Sequence, residues 1–98
     1  MWPAKKYWPQ DLEIGENIWE IKFKKKIVEG GVECSGLCDP GDRIIYIKYP
    51  QSPEELFSTL VHEVLHAIEF EYEANIGEYK VRKFETGLIQ FFGQLFNV

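Results

Sequence analysis

The sequence predicts an α+β fold, a single domain over residues 1–98 in which a small antiparallel sheet packs against two helices. Three observations carry this. Ile18 to Lys24 alternate in polarity with a period of two, Arg43 to Tyr49 are dense in branched and aromatic residues, and the chain after Ser52 changes to helical spacing. With 45% hydrophobic, 28% charged and 15% aromatic residues, the composition is that of an ordered globular protein.

Residues Met1 to Gln10 hold two tryptophans and two prolines without any period, and read as an extended N-terminal arm whose Trp2 and Trp8 pack on the body. Leu12 to Ile14 and Ile18 to Lys24 read as two strands joined by a turn at Gly15-Glu16-Asn17. In the second of these, Trp19, Ile21 and Phe23 share one face, while Ile18, Glu20, Lys22 and Lys24 share the other. Gly30-Gly31 breaks the chain after Ile27-Val28, and Gly36 to Asp42 reads as a second turn region. Arg43 to Tyr49 is the strongest strand and stops at Pro50. It is either plain sheet core or an edge strand beside a cleft, able to pair with an extended peptide.

Ser52-Pro53-Glu54-Glu55 is a helix start, with Ser52 as N-cap, Pro53 at the first helical position and Glu55 completing a capping box. The first helix then runs from about Pro53 to about Tyr72, with Leu56, Leu60, Val64 and Ile68 leading its apolar face. Asn75 and Gly77 mark the junction. A second helix follows from about Gly77 to Phe96, roughly antiparallel to the first, with Val81, Phe84, Leu88, Phe91, Phe92 and Leu95 at helical spacing. Residues 91–98 form an apolar C-terminal tail that has to bury its aromatics.

Charge narrows the function classes. The net charge is −5 and, apart from Lys24-Lys25-Lys26, the basic residues are scattered, so no broad surface for nucleic acid is expected. No apolar run reaches the length of a membrane span and Met1 to Tyr7 lack a signal-peptide core, which makes a cytoplasmic location the default expectation. Cys34 and Cys38 are too few for a zinc knuckle, and are expected as free thiols in a reducing compartment, with a disulfide as the alternative.

Both histidines of the chain fall in His62-Glu63-Val64-Leu65-His66, an H-E-x-x-H pentad flanked by uncharged residues. Four residues apart on a helix, His62 and His66 face the same way and can offer two imidazole nitrogens to one metal ion. Glu63 lies one step round the helix, where a general base would stand beside a metal-bound water. Catalytic zinc takes three protein ligands, so an oxygen donor is still required. Glu78 and Glu85 are the candidates, although Glu78 could instead close a capping box with Asn75. For straight antiparallel helices turning near residue 75, Glu85 is level with His66 and Glu78 lies about 9 Å nearer the turn.

Thr59 to Ile68, followed by Glu78-x-x-Val81 on the second helix, resembles the gluzincin metallopeptidases, and most of all the minigluzincins, small soluble proteins of thermophilic prokaryotes. The resemblance covers Gly36 to Phe92. It implies a minimal zincin-like fold, one zinc ion held by His62, His66 and Glu78, with Glu85 as the alternative third ligand, and Glu63 as catalytic base. Arg82 stands where related membrane peptidases of the group carry an aspartate.

The expected activity is hydrolysis of peptide bonds in a peptide or protein substrate. Zinc activates the water, and Glu63 takes its proton and returns it to the leaving amine. Tyr72 or Tyr79 is a candidate for stabilising the oxyanion. The resemblance also implies a zymogen held latent by its C-terminal segment, which would occupy the cleft or cross to a second molecule, giving a monomer or a dimer. The alternative is a zinc-stabilised binding or structural domain without catalysis.

Overall fold

The computed structural model describes residues 1–98 as an α+β fold with a small sheet and two helices. The strands are β1 (Asp11–Ile14), β2 (Asn17–Lys24), β3 (Ile27–Glu29), β4 (Val32–Cys34), β5 (Gly36–Asp39) and β6 (Ile44–Lys48). The helices are α1 (Pro53–Glu71) and α2 (Glu78–Leu95). The main sheet has the order β1-β2-β6-β5, and β3 and β4 form a separate two-stranded hairpin.

The sheet is mixed rather than antiparallel. β2 runs parallel to β6, with Ile21 opposite Ile45 and Phe23 opposite Ile47, because the β3–β4 hairpin and β5 intervene and bring the chain back in the same direction. β6 consequently lies inside the sheet. The edge strands are β1 and β5, the latter drawn from a stretch whose glycines, proline and aspartates read as a turn; the turn itself is confined to residues after Asp39.

Alternation in β2 is as the sequence indicates. Trp19 and Ile21 are buried, Phe23 is half-buried, and Ile18 on the opposite face is 58% exposed. With Ile14, Ile45, Ile47, Leu56 and Ala67 they form the core between the sheet and α1. Gly15 and the pair Gly30-Gly31 adopt positive φ, as the two hairpins require. Trp8 packs against Phe23 and Trp2 against Phe57, so the arm is anchored on the body.

Ser52 caps α1 by accepting the amide of Glu55 at 3.2 Å and donating its hydroxyl to the Glu55 carboxylate at 2.7 Å. On α2 the apolar residues divide between two faces. Val81 is fully buried and Phe92 packs on Phe57 of α1, whereas Phe84, Phe91 and Leu95 are about half exposed. The tail does not enter a cleft. Phe96 lies against Phe57, Phe92 and Trp2 at the N-terminal end of α1, and its carbonyl accepts the amino group of Met1. Neither helix is long and apolar enough to cross a membrane.

Candidate metal centre

His62 and His66 occupy one face of α1, and both turn toward the start of α2. Nε2 of His62 lies 3.0 Å from Oε1 of Glu78, and Nε2 of His66 lies 2.8 Å from its Oε2. One nitrogen from each ring and one Glu78 oxygen all fall within 4.8 Å of one another. The opposite ring nitrogens are held by other carboxylates. Nδ1 of His62 meets Glu85 at 2.6 Å, and Nδ1 of His66 meets Glu69 at 2.7 Å.

This division answers which donors fit a metal. A ring nitrogen bonded to a carboxylate on one side presents its other nitrogen outward, and here both outward nitrogens converge on the same glutamate. Two imidazoles and a carboxylate are a donor set that suits zinc. Glu85 stands behind His62, with its second oxygen accepting the Ser58 hydroxyl. It belongs to the same constellation but lies outside the convergent group.

The hairpin arithmetic that put Glu85 level with His66 fails because α2 does not begin beyond the end of α1. The connection runs back along the first helix, where Oε2 of Glu69 accepts the amides of Ile76 and Gly77 at 2.9 and 2.8 Å. This lifts Glu78 to the level of the histidines. Gly77 is the N-cap of α2 and Asn75 makes no capping bond, so Glu78 is committed to no capping box. Glu69 therefore acts twice, fixing the His66 ring and stapling the junction, a role that no sequence signal beyond its place three residues after His66 pointed to.

Glu63 is on the neighbouring face of α1, beneath β5. Only 7% of it is exposed and no protein group hydrogen-bonds its carboxylate, which opens on the cleft. Burial first, and then Glu78 and Glu85, raise its pKa against the opposing pull of His62 and His66. For His66, burial works against the charged form but bonds to Glu69 and Glu78 outweigh it, so its pKa is raised.

The close approach of β5 explains Gly36. A Cβ at this position would lie 2.6 Å from Cγ2 of Thr59 and 3.0 Å from Cγ and Oε2 of Glu63, so the strand can lie this close over α1 only with glycine there. Cys38 follows on the same strand as a thiol, with its pKa pushed up to about 12 by burial and by the charges of Glu63, Asp39 and Glu69. Cys34 is likewise a free thiol.

The cleft over these residues is open and measures about 840 Å³, bounded by the β3–β4 hairpin, β5, α1 and the start of α2. Tyr72 and Tyr79 do not line it. Tyr72 lies near Gly15, and Tyr79 lies beneath the ammonium of Lys83. The cation in the cleft wall is Arg82, whose Nε is 3.2 Å from Oε1 of Glu78. Arg82 thus steadies Glu78, while Glu85 and Glu69 hold the two rings.

Comparison with protein-family models, with curated proteins and with solved structures finds no match.

Proposed function

We propose that this chain is a zinc-dependent peptidase of minimal zincin-like design, with one zinc per chain held by His62, His66 and Glu78. The observation that carries this reading is the convergence of two histidine nitrogens and a Glu78 oxygen within 4.8 Å beside a buried carboxylate with no protein partner. Zinc bound there would supply Lewis acidity, lowering the pKa of a water and polarising a carbonyl.

The chain's own residues perform the remaining tasks. Glu63 takes a proton from the attacking water and passes it to the departing amine, a cycle helped by a carboxylate whose pKa burial has raised. Glu85 and Glu69 fix the tautomer and tilt of the two rings. Arg82 restrains Glu78. β5 pairs with β6 along one side alone, so its other edge offers backbone donors and acceptors to an extended peptide, the part that the sequence suggested for Arg43 to Tyr49.

A zinc-stabilised binding domain would need the ligands but not Glu63. Its carboxylate faces the open cleft without a protein partner, which is where hydrolysis would need a base and where a structural metal would need nothing. The two readings part on one experiment. Glu63→Gln should keep zinc and fold while losing peptide hydrolysis; a wild-type protein that binds zinc and hydrolyses no peptide in a diverse pool would favour the binding domain.

A further inference from the structure

We propose that two copies of this chain pair through the exposed face of α2, antiparallel, about a two-fold axis between Leu88 and Phe91. Phe84, Leu88, Phe91 and Leu95 follow one another at intervals of four, three and four residues, the spacing of a single helix stripe that seats a second helix. Leu88 is half-buried, while Phe84 is 48%, Phe91 56% and Leu95 60% exposed. With the axis so placed, Phe84 faces the partner's Leu95 and Leu88 faces the partner's Phe91.

The stripe is separate from the metal centre and from the tail. Glu78 and Glu85 of the same helix turn instead to the histidines of α1, and Phe96 packs on Phe57 and Trp2 of its own chain. Pairing through α2 therefore needs neither zinc nor an exchanged tail, and it stands whether or not the peptidase reading holds.

Area and charge argue for a second copy as the occupant. At their exposures Phe84, Phe91 and Leu95 each leave roughly 100 Å² in water, so two copies bury about 600 Å² of apolar surface from these alone. Because apolar atoms make up about 56–65% of an interface, the whole contact reaches about 1,000 Å² before Leu88 is counted, the size at which specific interfaces begin. The chain carries a net charge of −5, yet α2 has no carboxylate side chain after Glu85, so like chains meet here without repulsion between acids. Lys80 and Lys83 lie near the start of the helix. Antiparallel pairing opposes the two helix dipoles and keeps these lysines at opposite ends, whereas parallel pairing would bring them together.

Gly87 supplies an independent observation. It lies in the interior of α2 beside the stripe, and a Cβ there would meet nothing within 4 Å. Glycine weakens a helix interior, and no contact within the chain requires this one. A partner helix seated on the stripe would require it, because bare backbone lets the two axes approach closely.

The test is sedimentation velocity of the full chain from about 5 to about 500 µM, a range set by the weak dimer that so small an interface allows. Monomer is expected to give way to dimer as concentration rises. Phe91→Ser, at an exposed position, should keep the circular dichroism spectrum and weaken association at least about tenfold, while Val32→Ser, equally exposed on the β3–β4 hairpin, should leave it unchanged. Gly87→Ala should raise the Tm at concentrations where the chain is monomeric and yet weaken the dimer. Monomer throughout, association indifferent to Phe91→Ser or to Gly87→Ala, or equal loss in Val32→Ser would overturn the proposal. Binding to phosphatidylcholine–phosphatidylserine vesicles without self-association would likewise overturn it, assigning the stripe to a membrane surface.

Discussion

Glu85 lies 2.6 Å from Nδ1 of His62, on the side of the ring turned away from Glu78. The two glutamates that compete as third ligand therefore hold opposite nitrogens of the same histidine, and they should respond differently to removal.

Glu78→Ala should abolish stoichiometric zinc binding, because it deletes an oxygen donor on which both rings converge. Glu85→Ala should keep one zinc per chain and weaken its affinity by about 10- to 100-fold, the usual effect of losing a carboxylate that orients a ligating histidine. Metal analysis together with competition against a chelator separates the two. Loss of zinc in Glu85→Ala and retention in Glu78→Ala would reverse the assignment.

Gly36→Ala places a methyl group 2.6 Å from Thr59 and 3.0 Å from Glu63. Relief requires β5 to move off α1 at a cost of about 1–3 kcal/mol, and it displaces Glu63. Urea denaturation should report the lost stability, and hydrolysis should fall at least about tenfold with zinc content unchanged. Full activity in this variant would mean that β5 does not bound the site.

Glu71 bonds to Arg43, Asn17 and Trp19 at the far end of α1. The bond to Arg43 is the largest cause of its lowered pKa, opposed by burial and helped by Asn17 and Trp19. Its folded pKa lies below the unfolded one, so its stabilisation is present above the unfolded value, about 4.3, and is lost as pH falls through the folded value. The Tm of wild type should drop through this acid window, and Glu71→Gln, already less stable near neutral pH, should show a shallower drop. Parallel curves would assign acid unfolding to other carboxylates.

Phe57→Ala should cost about 3–5 kcal/mol, since Phe57 packs against Trp2, Trp8, Phe92 and Phe96 at once. The arm and the tail should loosen together, visible as faster amide exchange in both, while zinc stoichiometry holds. A change in zinc binding would show that the tail reaches the metal centre.

Much of this arrangement is legible in the residues. The pentad, the Ser52 cap and the alternation of β2 each express a local rule, and the elements form where those rules put them. β5 is hidden because Gly36, Pro40 and Gly41 carry turn chemistry, and Gly36 serves instead as a contact with α1. Nothing local in Arg43 to Tyr49 sets its direction against β2, since parallel pairing depends on the path of the intervening chain. Likewise, the glutamate that joins the two histidines could not be chosen from helix arithmetic, because the amides of Ile76 and Gly77 bond back to Glu69 and carry Glu78 up to the histidines.

The central claim is that Glu63 is the base of a zinc peptidase. The measurement that tests it most directly is hydrolysis of a diverse peptide pool by wild type and Glu63→Gln at matched zinc content. The account predicts one zinc per chain in both proteins and a loss of about 10²- to 10⁴-fold in rate for the variant, the range for removing a general acid–base. Zinc absent from both proteins, or equal hydrolysis by the two, would contradict it.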